Sequence, residues 1–280
     1  FATNALNKID LPSYDLTQSF RFGDNYAKVL QNNLNSLYEI NSSKPLKISG
    51  LEKTTLIGKN HIDFSKQFCV IARSTFGLMQ QFVYFIHDKK KVYFEGGYNS
   101  YSFMNQTVYS IFYLKQKKND KITIDEIKDF DTINELEQFA KDTKNQDYLN
   151  IIKFINTYGD NIFEINKKIK EFLVNDKKDA DIIFTTTHKS KGLEYEQVIM
   201  ADDFISKKEI TNTKNKLSFQ RINEELNIYY VAATRAKNAI QLADLNLSYT
   251  YNENDETTTH VRSRFISKRA DNKKSKELQE

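Results

Sequence analysis

Apolar positions along the chain recur with two periods, and the chain passes from one to the other and back. Phe68-Cys69-Val70-Ile71-Ala72 is a short continuous apolar run of the kind found in a buried strand. After Arg73 the spacing becomes three and four, through Phe76, Met79, Val83 and Ile86, which predicts a helix. Val92-Tyr93-Phe94 predicts a second strand, ended by Gly96-Gly97. Strand, helix and strand in that order are the signature of an α/β layer. Between residues 100 and 175 the helical period alone persists. It predicts four helices, on Tyr109, Phe112 and Tyr113; on Ile133, Leu136 and Phe139; on Leu149, Ile152 and Ile155; and on Ile162, Ile165, Ile169 and Phe172. This stretch has Gly159 as its one glycine and no Pro, and it is rich in charge, so it reads as a helical insertion.

The α/β pattern then returns. Asp181 to Thr185 and Val198-Ile199-Met200-Ala201 predict strands, Ile222, Leu226, Tyr229, Tyr230 and Ala233 a helix, and Ala239-Ile240-Gln241-Leu242 a last strand. The expected organisation is one α/β domain made of residues 1–97 and 176–245, interrupted by a helical domain over 98–175. A polar, basic tail over 246–280 includes the loop-like run Asn252–Thr259.

Composition narrows the function classes. The chain has 280 residues, 28% charged and 39% hydrophobic, enough for a packed core. One cysteine, Cys69, excludes disulfide frameworks and cysteine-based zinc sites, and it reads as core. His61, His87, His188 and His260 have no metal-ligand spacing. No apolar run approaches the roughly 18–20 residues of a membrane span, so no membrane association is expected, and a reduced cytoplasmic or nuclear-type compartment is the default. The formal charge is +4, and residues 260–280 hold seven Lys and Arg against three Asp and Glu, so the excess belongs to the tail. That tail is either an arm that finds phosphates or a solvated end. Residue 1 is Phe, and the chain reads as a fragment or processed product. No glycine pair has the G-x-x-x-x-G-K-[ST] spacing, so there is no Walker A loop.

Three segments concentrate chemistry. Thr186-Thr187-His188-Lys189-Ser190-Lys191-Gly192-Leu193-Glu194-Tyr195 follows a strand and gathers hydroxyl, imidazole and ammonium groups before a Gly and a carboxylate. It is either an ordinary strand-to-helix loop or a turn that binds phosphate, with Glu194 accepting from a sugar hydroxyl. Glu224 to Lys237 (EELNIYYVAATRAK) reads as a helix with an acidic start and a basic end, where Arg235 is a helix-end cation or an arginine that reaches a phosphate. Leu16-Thr17-Gln18-Ser19-Phe20-Arg21-Phe22 ends a strand with an aromatic beside an Arg, a pair suited to a base and a phosphate.

In this order the three resemble the C-terminal motifs of UvrD/Rep-type superfamily 1 DNA helicases. Leu16–Arg21 looks like motif IV, Arg73-Ser74-Thr75 like motif IVa, Glu95-Gly96-Gly97 like the junction into the inserted domain, Thr186–Tyr195 like motif V and Tyr230–Ala236 like motif VI. LTQSFRFG and Asp202-Asp203-Phe204 look closest to the F-box DNA helicase branch. The resemblance covers about residues 2–245. Departures are Thr75 where the family usually has Asn, and Asn227 where motif VI usually has Arg.

The resemblance implies a RecA-like parallel-sheet domain of the P-loop NTPase type, helicase domain 2A, split by a small helical 2B domain. It implies that Phe20 stacks on adenine, that Arg21 and Arg235 contact the γ-phosphate, and that Glu194 beside Gly192 meets the nucleotide edge. Arg73, Thr75, Thr186, His188 and Lys191 would hold the backbone of single-stranded DNA. ATP is the expected cofactor, with Mg²⁺ held by ligands of a motor domain 1A upstream or on a separate chain. The implied activity is ATP-driven 3′→5′ movement on single-stranded DNA in repair, recombination or replication. The implied place is the nucleus or a cytoplasmic nucleoid. Because the Walker A loop and acidic motif would lie on 1A, the isolated chain is expected to be inactive as an ATPase. The alternative is a truncated helicase-derived module that binds DNA or protein without catalysis.

Overall fold

The computed structural model describes residues 17–40, 46–85, 88–101, 103–143, 145–206, 210 and 219–243. The chain divides into one compact unit, Phe1–Leu245, and a second, Asn246–Glu280. The expected tail lies outside the described residues, as do Ala2 to Leu6, Leu16, Ile86, His87 and His260.

Six parallel strands form the main sheet: β3 (Leu56–Ile57), β4 (Phe68–Ala72), β5 (Val92–Phe94), β6 (Ile182–Thr186), β7 (Tyr195–Met200) and β8 (Ala236–Gln241). Their order across the sheet is β3-β8-β7-β4-β6-β5. A second, two-stranded parallel sheet pairs β1 (Gln18–Gly23) with β2 (Ser49–Leu51). All five residues of β4 and all five of β6 are buried, which is why β4 and the first three residues of β6 read as apolar runs rather than alternating ones, with Thr185 and Thr186 ending β6.

Because side chains alternate along a strand, these runs serve two faces. Phe68, Val70, Ala72, Ile182, Phe184 and Phe94 enter one apolar core, where Phe94 stacks on Phe184 at 5.3 Å and Phe82 lies 6.0 Å from Phe184. Phe82 belongs to α2 (Thr75–Phe85). The same core takes in the inserted helices α3 (Gln106–Lys115), α4 (Asp125–Lys128), α5 (Ile133–Asp142), α6 (Gln146–Tyr158) and α7 (Asn161–Phe172). Phe76 of α2 meets Phe154 of α6 at 5.4 Å. Asn105, Thr132 and Asn145 start three of these helices by accepting from Val108, Glu135 and Tyr148 amides, the usual work of Asn and Thr at a helix N-terminus.

Cys69, Ile71 and Ile183 are buried on the opposite side of the strands, so the core reading of Cys69 holds. α8 (Phe219–Ala233) carries the buried residues Ile222, Leu226, Ile228, Tyr229, Ala232 and Ala233. The element absent from the sequence reading is α1 (Asp24–Ile40), which buries Tyr26, Ala27, Leu30 and Leu34. The Tyr26 hydroxyl donates to the Ala233 carbonyl at 2.9 Å and ties α1 to the end of α8.

The strand order makes β4 the centre. From β4 to β6 the chain builds one flank of the sheet, and with β7 and β8 it builds the other. The reversal opens a crevice at the carboxyl ends of β4, β6 and β7, the place where open α/β sheets bind ligands.

Candidate functional site

One cluster forms at the amino ends of β7 and β8. β1 carries Phe20 and Arg21 on opposite faces, as neighbours in a strand must be. Phe20 is 79% exposed, an unusual placement for a phenylalanine. Arg21 turns inward, where Nε donates to Glu194 Oε2 at 3.2 Å and Nη1 to the Thr234 carbonyl at 2.9 Å. Glu194 Oε1 also takes the Lys237 ammonium at 2.6 Å, and Lys237 reaches Glu196 at 3.4 Å. Lys237 first and Arg21 after it hold the Glu194 carboxyl below its usual range, and Glu194 in turn raises the Lys237 ammonium.

Arg235 is buried behind this pair. Its Nε donates to the Val231 carbonyl at 2.7 Å, Nη1 to the Leu193 carbonyl at 3.1 Å and Nη2 to Thr234 Oγ1 at 2.9 Å. Its own carbonyl accepts from Tyr195 N at 2.9 Å. Burial, and then the charge of Arg21, lower its pKa. Arg235 thus does serve the end of α8 as a cation, and it also clamps Leu193 to it. Among the described residues three of its five N–H bonds are used, which leaves two for a ligand. Thr55 fixes β1 against β8 by donating to the Lys237 carbonyl at 2.8 Å and accepting from Gly23 N at 2.9 Å.

A second cluster forms at the carboxyl ends of β4, β6 and β7. Arg73 and Ser74 follow β4, and Thr75 opens α2 half-buried. The Arg73 guanidinium grips Glu225 of α8 through Nε at 2.8 Å and Nη2 at 2.9 Å. Asp203, just after β7, accepts from Arg73 N, Ser74 N and Ser74 Oγ, each at 2.8 Å. Its burial raises its pKa, and the amides it accepts from oppose that rise.

After β6, Thr187 N donates to the Ala72 carbonyl at 2.9 Å and Ser190 Oγ to the Thr187 carbonyl at 2.8 Å, which winds residues 187–192 into a turn. Thr186 is buried beneath it, while His188, Lys191 and Gly192 are exposed. Gly192 has φ 85, a left-handed backbone that glycine adopts without cost. Partial desolvation, and then Arg73, lower the His188 pKa below the usual 6.5, so the imidazole is neutral near pH 7 and offers a hydrogen bond rather than a charge.

The predicted residues therefore fall into two sets at opposite ends of the same strands. Arg21, Glu194 and Arg235 meet at the amino end. Arg73 lies near enough to His188 at the carboxyl end to help lower its pKa, with Thr75, Thr186 and Lys191 on the segments around them. Two segments join the ends: residues 187–194, and α8, whose 15 residues span about 22 Å. Glu225 stands in the second turn, near the middle of α8, and Arg235 lies just past its end, ten residues or about 15 Å further on.

Three residues of these clusters were not foreseen: Lys237, Asp203 and Glu225. Glu225 and Lys237 were visible as the charged ends of a helix and Asp203 as part of the Asp202-Asp203-Phe204 run, with no partner implied for any of them. Glu224-Glu225, expected to start the helix, lie in its second turn, because α8 begins at Phe219.

The family model of the UvrD-like helicase C-terminal domain matches residues 6–249. The chain belongs to that family, and its six-stranded parallel sheet is that of a RecA-like helicase C-terminal domain. It is similar to F-box DNA helicase 1 of Gallus gallus, at 27% identity over 252 residues, 82% of this chain and 23% of that protein. It is also 32% identical to F-box DNA helicase protein 1 of Schizosaccharomyces pombe over 125 residues, 42% of this chain and 14% of that protein. The chain spans less than a quarter of the length of these curated relatives.

Proposed function

We propose that this chain is the second motor domain, 2A with an inserted 2B over 98–175, of an ATP-dependent helicase that moves 3′→5′ on single-stranded DNA. The observation that carries the reading is the convergence of Arg21, Glu194 and Arg235, three residues from distant parts of the sequence, next along β1 to the exposed Phe20. The donor set fits a nucleotide: two guanidinium groups for phosphate oxygens, a carboxylate for a hydroxyl, and an aromatic face for a base. ATP, once bound, supplies a phosphoryl group whose transfer develops charge, and that charge is what guanidinium groups stabilise.

Each residue then has a stated task. Phe20 offers its face to the base. Arg21 exchanges Glu194 for phosphate oxygens, and Lys237 keeps the released Glu194 neutralised. Arg235 needs no movement, since two of its N–H bonds are already uncommitted. Mg²⁺ is assigned to ligands on domain 1A, as the family resemblance implies; among the described residues no group of three or more His, Cys, Asp and Glu is placed to hold a metal ion. No described helix is long and apolar enough to cross a membrane.

Arg73, His188, Lys191 and the turn after β6 hold the DNA backbone in the crevice, without reading its sequence. Closure of 1A onto the amino-end cluster is relayed to the DNA cluster through α8 and residues 187–194, which makes chemistry and stepping one event.

Arg21→Ala tests the reading with little structural cost, because Arg21 is part-exposed and bonds only Glu194 and one carbonyl among the described residues. The intact protein carrying it is expected to lose at least about 10³-fold in ATP turnover. ATP turnover at the wild-type rate would exclude Arg21 from the nucleotide site and favour a non-catalytic module.

A further inference from the structure

We propose that Glu225 is a positioning residue for DNA binding, one that fixes the Arg73 guanidinium so that its Nη1 edge is presented to a backbone phosphate. The inference rests on the reading of the carboxyl-end cluster as a DNA site. Its basis is a pair of restraints on one arginine. Asp203 pins the main chain of Arg73 and Ser74 by accepting from their two amides, and it accepts a third hydrogen bond from Ser74 Oγ. Glu225 pins the side chain with two, through Nε and Nη2. Nη1 makes no hydrogen bond among the described residues.

The Arg73 side chain is 32% exposed and the Glu225 side chain 16%, so the acid sits behind the base rather than in front of it. The two restraints come from different elements, α8 and the segment after β7, so they fix the arginine from two sides. Glu225 is the first cause of a raised Arg73 pKa, which keeps the guanidinium charged.

An acid in a polyanion site should weaken binding by repulsion. Held in this way it does the opposite. An arginine left to itself must give up its rotamer freedom when it meets a phosphate, and one already held by a bidentate carboxylate has lost it on folding. The same restraint selects which N–H edge faces outward. The sign of a Glu225 substitution therefore decides between the two effects.

The test is the affinity of the intact protein for a dye-labelled oligothymidylate, measured by fluorescence anisotropy at several salt concentrations, with thermal melting as a check on folding. Arg73→Ala should weaken binding and lower the slope of log K against log[salt] by about one. Glu225→Ala should weaken binding about two- to tenfold although it removes a negative charge. Glu225→Gln, which keeps one acceptor, should fall between. In an Arg73→Ala background, Glu225→Ala should weaken binding no further.

Tighter binding by Glu225→Ala would overturn the proposal and make the acid a competitor with DNA. Equal weakening with and without Arg73 would also overturn it, as an effect of α8 itself. If Arg73→Ala left affinity and salt slope unchanged, the DNA reading of Arg73 would fail as well. If Arg73→Ala weakens binding and the cycle shows no coupling, only the role of Glu225 is lost.

Discussion

Arg235→Ala in the intact protein is expected to lower ATP turnover by about 10³- to 10⁵-fold, the range for removing an arginine that stabilises phosphoryl transfer. It is also expected to lower stability, which Arg21→Ala should do far less. Arg235 donates to the Val231 and Leu193 carbonyls and to Thr234 Oγ1 from a buried position. Buried acceptors left without donors cost about 1–3 kcal/mol each, so the loss should reach about 2–4 kcal/mol. In a unit of this size that lowers Tm by about 5–15 °C.

Turnover and melting measured on one preparation separate the two effects. At a temperature where the variant is fully folded, the loss of turnover should persist while DNA affinity stays close to wild type, because the carboxyl-end cluster meets α8 at Glu225, ten residues away from Arg235. Parallel loss of turnover and DNA affinity would mean that Arg235 only holds the fold.

Gly77→Ala should be the most destabilising single-methyl change in the carboxyl-end cluster. In an ordinary helix this substitution stabilises, by about 0.5–1 kcal/mol. Here a Cβ at residue 77 would stand 1.9 Å from Asp203 Oδ2 and 2.3 Å from its Cγ. Asp203 is buried and short, and it cannot swing aside without leaving the amides of Arg73 and Ser74. Overpacking together with loss of these bonds should cost about 3 kcal/mol, which reverses the sign and lowers Tm by about 6–12 °C. In an Asp203→Ala background the same Gly77→Ala change should cost less than half as much, since its obstacle is gone. A Gly77→Ala variant that melts at or above the wild-type temperature would show that Asp203 does not occupy this place.

These residues show what could be read from the sequence. β4, most of β6 and the helices between β5 and β6 were legible because burial dictates their residues: a strand covered on both faces is mostly apolar, as Ile182-Ile183-Phe184 of β6 shows, and an amphipathic helix must repeat every three to four. α1 was missed although Tyr26, Ala27, Leu30 and Leu34 have helical spacing, because the polar run Gln31-Asn32-Asn33 and Asn35 dilutes the stripe. β2 and β3, with three and two residues, are too short to carry any period. Arg21, Glu194 and Arg235 were named through motif order, yet nothing local said that Glu194 would bind Arg21, 173 positions away. Asp203 and Glu225 show the same limit. Asp203 read as part of a motif and Glu225 as part of an acidic helix start, and neither reading named Arg73, 130 and 152 positions away. Local pattern determines elements, whereas partnerships across the sheet depend on strand order.

The central claim is that the two residue sets act as one device through α8 and residues 187–194. Its most direct test is the affinity of the intact protein for single-stranded DNA with and without a non-hydrolysable ATP analogue, in wild type and Arg21→Ala. Coupled sites should change DNA affinity about 5- to 150-fold when the analogue binds wild type, and the ratio should fall to about one in Arg21→Ala. Equal DNA affinity with and without the analogue in wild-type protein, at saturating analogue, would contradict the account.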